Sequence, residues 1–316
     1  MRVLWYTYFY MKRLITHNAG FHADDVVAYA ILQLVLDKKG ETYELIRSRD
    51  ESVIKTGDIV FDIGNIYDPL INRYDHHQVG RAGSRENGIH YAAAGLVWKH
   101  FGMDLCLNER VWSDIDRFFI APLDAIDNGQ SIIKEFNFEN IGTGNLAGII
   151  GSFVPSMYED ESPESVYAAF IEISTITKRL LERSIQSQND LEKIYQDLYT
   201  IYQSQDDKQI IISDKNVPRP IMSRFAELPE PLFITYPDSL RTMYKAEVVC
   251  KSPGTFEARV PFPSSWAGLR DTQLQEICGV SDALFAHPGQ FLVGARSLEG
   301  VQQMVVQALE HYQKNQ

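Results

Sequence analysis

Between residues 13 and 102 the chain alternates short β-prone runs with helical ones, and this alternation constrains its fold more than any other feature. RLIT (13–16) leads through THNAGFHADD into VVAYAILQLVLDKKG, a helical pattern closed by Gly40. YELIRS (43–48) and DIVFDIG (58–64) are two further strand runs, the second ending at Asp62-Ile63-Gly64. YDPLINRYDHHQVGRAGSRENG (67–88), rich in turn formers and charge, reads as a loop, and AAAGLVWKHFG (92–102) reads as a short helix with a glycine stop. Strands interleaved with helices predict an α/β domain on a parallel sheet, and such sheets place their ligands at the C-terminal ends of their strands.

The rest of the chain has a different pattern. Residues 162–203 are strongly helical, with Val166, Phe170, Ile173, Ile176, Leu180 and Leu181 at apolar positions, and the polar stretch SIQSQND (184–190) is expected to break the run into two helices. QIIIS, PLFITYP, MYKAEVVC and FEARVPF follow as β-prone pieces before a last helix through LEGVQQMVVQALEHY. At 316 residues the chain has room for two domains. The expected division is a parallel-sheet domain over 11–158, a helical connector over 159–205 and a smaller α+β domain over 206–316. The connector reads as an interdomain strut or the surface of a homodimer.

Composition excludes some classes. With 45% apolar and 23% charged residues the chain is ordinary for a globular protein, and no apolar run reaches the roughly 20 residues that a bilayer span needs. No membrane partner is expected. The aromatic N-terminus lacks a basic region and a small-residue cleavage site, and Met11 is a candidate start that would make residues 1–10 dispensable. Cys106, Cys250 and Cys278 are odd in number and far apart, which suggests neither disulfides nor a zinc cluster and makes the cytoplasm the expected compartment. A formal charge of −12 argues against a lysine-coated reader of nucleic-acid sequence. It does not exclude an enzyme acting on phosphodiesters, because carboxylates that bind cations form a site attractive to phosphate.

Of the eight histidines, four lie in two short clusters, His17 with His22 and His76 with His77. Asp24 and Asp25 accompany the first and Asp75 the second, while Asp62 and Asp127 fall at element ends. Imidazoles mixed with carboxylates suit Mn2+, Fe2+, Co2+ or Zn2+, and a carboxylate shared between two ions suits a binuclear site. Singly, most of these residues have plainer explanations. Asp24 and Asp25 are ordinary first-turn acids, Asp62 a strand-end turn former, and Asp127-Asn128-Gly129 a turn. Adjacent histidines after an acid are harder to explain that way, since a surface loop gains nothing from two imidazoles.

THNAGFHADDVVAYAIL, FDIGNIYDPLINRYDHHQ, AAAGLVWKHFG, PLDAIDNG, PFPSSWAGLRDTQLQEICGV and FAHPGQFLVGARSLEGVQQM resemble, in kind and order, the blocks of the MYG (melanocyte proliferating gene) family. That family is a branch of the DHH phosphoesterase superfamily, which also holds RecJ-type exonucleases, oligoribonuclease/phosphoadenosine-phosphate phosphatases and manganese-dependent pyrophosphatases. The resemblance covers nearly the whole chain from Met11. It implies two divalent cations, Mn2+ foremost with Mg2+, Co2+ or Zn2+ as alternatives, and hydrolysis of RNA or short oligonucleotides. A small-molecule phosphatase or pyrophosphatase, or a metal-binding scaffold without turnover, are the alternatives.

In that resemblance His76, Asp62 and Asp127 bind metal, Asp62 bridging both ions. His77 faces the scissile phosphate, and Asp75 orients the histidine pair. The first motif departs from the superfamily's His-x-x-x-Asp-x-Asp. Here His17 is followed, one residue late, by His22 in place of the first Asp, then by Asp24 with Asp25 behind it. Asp24 is the preferred ligand and Asp25 the alternative. Ala93 stands where the family commonly has Ser, and the usual glycine-rich substrate loop survives only as Gly289 and Gly294. Arg270 and Arg296 are candidate phosphate-binding residues, because guanidinium suits bidentate oxygen recognition.

Overall fold

The computed structural model describes residues 10–135, 139, 141–255 and 257–314; residues 1–9 and Phe256, on which two of the expectations above fall, lie outside them. The chain divides into two compact units, Met1–Asn189 and Asp190–Gln316. No helix among the described residues is long and apolar enough to cross a membrane.

In the first unit, β1 (Lys12–Thr16) is followed by α1 (Ala23–Lys39), β2 (Tyr43–Arg47), α2 (Glu51–Lys55), β3 (Ile59–Phe61), β4 (Tyr67–Asp68) and β5 (Arg73–Tyr74). The helices α3 (Ala93–Phe101), α4 (Glu109–Ile115), a π-helical turn at Asp116–Ile120, α5 (Ala121–Asp127) and α6 (Leu146–Gly151) come next. The sheet order is β2-β1-β3-β5-β4, parallel except for the β4 edge. α1 is apolar almost all round because it is covered all round: Val26, Val27, Ile31, Leu32 and Val35 are buried in one cluster with Leu14 and Phe61 of the sheet and Leu96 and Trp98 of α3. Gly40 ends it in the left-handed conformation, donating to Leu36 and Asp37 carbonyls.

The segment expected to be a loop holds both β4 and β5. Two-residue strands flanked by Asp68-Pro69 and Asn72 leave no period to read, yet β5 pairs in parallel with β3 (Val60 with Arg73, Phe61 with Tyr74) and so fixes where Asp75 begins. The long helix is also a correction. α7 (Pro163–Ser204) runs unbroken through SIQSQND. Ile185 keeps the buried stripe going, and the Asn189 side chain accepts from the Leu107 amide at 2.7 Å and donates to Leu105 O at 3.2 Å, so it does not compete for its own backbone. Val166, Phe170, Ile173 and Leu181 are buried as expected, whereas Ile176 and Leu180 are exposed.

The second unit contains β6 (Ile210–Ile212), α8 (Arg219–Phe225), β7 (Phe233–Pro237), β8 (Tyr244–Val248), α9 (Asp271–Cys278), β9 (Ala283–Ala286), β10 (Leu292–Ala295) and α10 (Leu298–Lys314). Its sheet runs β6-β7-β8-β10-β9, antiparallel except for the β6–β7 pair. Alternation along β7 separates two cores: Phe233 packs with α9 and α10, while Ile234 and Tyr236 pack with α8 and the end of α7. Residues 257–262 of FEARVPF form no strand among the described residues. Their one ladder contact is a bridge from Ala258 to Cys250; Arg259 turns its guanidinium to the carbonyls of Ala226, Pro229 and Pro231, and Pro261 has no amide to donate.

Candidate metal centre

Three adjacent parallel strands end in candidate site residues. His17 follows β1, Asp62 follows β3, and Asp75-His76-His77 follow β5, so the sheet order alone brings the three to one edge. α1 begins at the same edge, with His22 as its N-cap and Asp24 and Asp25 in its first turn, and Asp127 is the last residue of α5. Asp62 takes a left-handed backbone (φ 54°) in a tight turn that continues through Gly64 (φ 101°) and Asn65 (φ 55°). That strain costs about 1 kcal/mol or more at a residue with a Cβ and persists only where the surroundings hold it.

The side chains converge on Asp62. His17 Nε2 is 3.2 Å from Asp62 Oδ2 and 3.3 Å from Asp25 Oδ2. His76 Nε2 lies 3.5 Å from Asp62 Oδ1, 3.6 Å from Asp24 Oδ2 and 3.3 Å from Asp127 Oδ2. His17, His22 and Asp62 form one group able to hold an ion, Asp24, His76 and Asp127 another, and Asp62, His76 and His77 a third. His17 Nδ1 lies 3.1 Å from the Asn18 carbonyl; donating there leaves Nε2 as the free donor atom of the ring. Asp24 Oδ1 and Oδ2, Asp25 Oδ2, Asp62 Oδ1 and His76 Nε2 are buried without a hydrogen-bond partner among the described residues. Each such group costs about 1–3 kcal/mol unless something satisfies it. A set of orphaned carboxylate oxygens and imidazole nitrogens facing one another fits divalent cations and little else.

Electrostatics agree. Burial, then the Asp24 charge, push Asp127 up to about 8. Burial, then Asp62, raise Asp24, and burial with Asp24 raises Asp25 well above the carboxylate range. Asp62 goes the other way: burial opposes its charge, but the His17 and His76 imidazoles beside it outweigh that and hold the carboxyl low. Burial likewise opposes a charged His76, yet Asp24 and Asp62 hold it up to about 10. A centre in which protons stand in for missing positive charge is one that cations would complete.

Asp75 has a separate task. Its Oδ1 accepts from the backbone amides of His76 (2.7 Å) and His77 (3.1 Å) and sits 2.7 Å from His77 Nδ1, while Oδ2 accepts from Asn65 N at 2.6 Å. It therefore orients the His77 ring directly but reaches His76 only through its backbone. The His77 side chain is 57% exposed, and its hydrogen bond to Asp75 raises its pKa.

Other residues that sequence reasoning missed surround the centre. Arg49 and Asn65 line a cavity of about 280 Å3 together with His17, His22, Asp62 and His77. Arg47 supports the loop behind His17. Asp124, one turn before Asp127, is fully buried and accepts from Arg85 (2.7 Å) and from the Gly95 amide (3.0 Å). A Cβ at Gly95 would lie 1.8 Å from Asp124 Oδ2, so the glycine of AAAG allows the close approach that fixes the end of α5. The signal available for Arg49 was the run RSRD (47–50), which begins at the last residue of β2, one strand from His17.

Arg270 and Arg296 lie outside the first unit, which carries the histidine–carboxylate cluster. They belong to the second unit, where both are exposed and Arg270 lies over the Phe285 ring at 5.9 Å. Trp266 is buried against Phe262 in a core of that unit. His287 is a turn residue, its Nδ1 accepting from Gly289 N at 3.0 Å.

Fold and site thus define an α/β protein with a histidine–carboxylate cluster, able to hold metal ions, at the strand ends of its parallel sheet. Residues 13–309 match the model of the uncharacterised protein family UPF0160, MYG1_exonuc, and the chain belongs to that family. It is 26% identical to the MYG1 protein of Schizosaccharomyces pombe, over 95% of this chain and 98% of that one. To the MYG1 exonuclease of Homo sapiens it is 27% identical, over 92% of this chain and 84% of that one. Among solved structures, the exonuclease RecJ bound to manganese overlaps 95% of this chain and 90% of its own at 11% identity, with a TM-score of 0.28, too low to bear on the assignment.

Proposed function

We propose that the chain is a divalent-metal-dependent phosphoesterase, acting as an exonuclease or phosphodiesterase on RNA or short oligonucleotides. The observation that carries this reading is the ring of buried, partnerless donor atoms around Asp62 at the ends of β1, β3 and β5. Membership of a family whose relatives include proteins named MYG1 exonuclease supports the substrate class. His17, His22 and Asp62 would hold one ion and Asp24, Asp62, His76 and Asp127 the other, with Mn2+ the expected metal. The ions, when bound, supply Lewis acidity at a phosphoryl oxygen and lower the pKa of water.

The chain's own residues complete the chemistry. His77, fixed through Nδ1 by Asp75, presents Nε2 as a hydrogen-bond or proton donor to a substrate oxygen. Arg49 places a cation in the cavity wall, where it draws in a phosphate. Asp25 accepts from the His22 amide at 3.0 Å and faces His17, so it serves as a support for both imidazoles rather than a ligand. A cavity of about 280 Å3 also admits a mononucleotide or pyrophosphate, which keeps a small-molecule phosphatase as the second reading.

Purified D62A and H76A, folded by circular dichroism, are expected to lose Mn2+-dependent cleavage of a labelled RNA ladder by about a thousandfold or more. Retained activity in both would overturn the metal assignment. Turnover of pyrophosphate with an intact ladder would favour the second reading.

A further inference from the structure

We infer that Arg47 is a positioning residue that pre-forms the half of the centre carrying His17 and His22. The inference rests on the two-metal reading above. Arg47 is the last residue of β2, in register with Thr16 of β1, so its side chain emerges beside the loop that leaves β1. Its Nε donates to His17 O at 3.1 Å, and its Nη2 to Ala19 O at 3.0 Å and Gly20 O at 2.9 Å. One guanidinium thus gathers three carbonyls of the loop between the two histidines. Ala19 takes a left-handed backbone (φ 66°), a conformation that a residue with a Cβ keeps only when its surroundings impose it.

The guanidinium is itself held. Its side chain is 4% exposed, its carbon lies 4.4 Å from the Phe170 ring centroid and 5.7 Å from that of Phe21, and Nη2 is 3.9 Å from Asp25 Oδ2. Phe21 precedes His22, and its ring meets Phe170 edge-on at 5.6 Å. Asp25 closes the circuit, accepting from the His22 amide while facing His17 Nε2. Both imidazoles are therefore referred to one buried cation, which makes no hydrogen bond or ion pair with Asp24, His76 or Asp127 among the described residues. Lysine does not replace this arrangement, because a point charge neither stacks on Phe170 nor spreads its donors in a plane.

The test is a two-site Mn2+ titration of the full-length chain by calorimetry, with electron paramagnetic resonance to separate paired from isolated Mn2+. Wild type is expected to take up two equivalents and show a coupled pair. R47M is expected to weaken one equivalent by about ten- to a hundredfold, the range for residues behind a metal ligand, leaving an isolated-ion spectrum and the other equivalent unchanged. R47K is carried alongside with the same expectation, so a failure of R47M to fold leaves the decision to R47K. Two unweakened equivalents in a folded variant overturn the inference. So does weakening of both equivalents together with a lowered Tm, which would mark a general structural role. Fewer than two equivalents in wild type would instead overturn the two-metal reading itself.

Discussion

The two flanks of Asp62 are built differently. On one side the donors are imidazoles, His17 and His22, carried by the loop 17–22 and steadied from behind by Arg47 and Asp25. On the other side they are two carboxylates and one imidazole, Asp24, His76 and Asp127, carried by a helix start, a strand end and a helix end. Nitrogen donors favour borderline metals such as Zn2+ and Co2+, whereas carboxylates accept Mg2+ and Mn2+ readily. Two ions sharing one bridging carboxylate would therefore bind with unequal affinity and preference, and the loop-borne flank is the one that depends on residues outside the ligand set.

The sharpest way to break this comparison is at Asp24 and Asp25, neighbours in sequence assigned to different tasks. D24N removes a donor from the carboxylate flank and is expected to cost about a thousandfold in kcat at saturating Mn2+. D25N keeps the ligand set but loosens both imidazoles, at about ten- to a hundredfold in metal affinity, and higher Mn2+ should recover much of its rate. Steady-state kinetics across a Mn2+ series separates the two, and the reverse ranking would exchange their roles.

A smaller effect is expected at His77, which belongs to neither flank. H77Q should lower kcat by about a hundredfold while both Mn2+ equivalents bind as in wild type. A lost equivalent in the calorimetric titration would make His77 a ligand, an arrangement that its grouping with Asp62 and His76 would also allow.

These contrasts were partly legible in the sequence. The alternation of strands and helices gave the parallel sheet, and with it the reason why His17 and Asp62 face the same edge. Asp75-His76-His77 could be picked out by composition, but not placed, because the strand that positions it is only Arg73–Tyr74 and carries no periodic signal. Family spacing favoured Asp24 over Asp25 as the ligand, but the physical reason for that preference lies in the fold. Both occupy the first turn of α1, both are buried, and only the helix's rotation decides that Asp24 faces His76 while Asp25 faces His17 and Arg47. Arg47 was invisible because its partners are backbone carbonyls, which no residue pattern announces. The Arg270 and Arg296 reading rested on family position and on guanidinium chemistry, and both residues are exposed in the second unit.

The smallest predicted effect concerns stability without metal, and here the flanks should differ in sign. Asp127 is pushed up from 3.8 to about 8 by burial and by Asp24. An acid whose folded pKa lies above its unfolded one leaves stability unharmed below the lower value and subtracts from it increasingly as pH rises between the two. D127N removes that penalty. With chelator at pH 8 it should be more stable than wild type by about 2 kcal/mol, after discounting for partial exposure, and the gain should vanish near pH 4. H22A removes an exposed imidazole from the other flank and relieves no such repulsion, so its metal-free melting temperature should stay at or below that of wild type. Thermal melts of both variants at the two pH values check the contrast. A D127N variant less stable than wild type at pH 8 would mean that the carboxylate flank is already neutralised within the protein, and that its need for cations is weaker than its orphaned oxygens suggest.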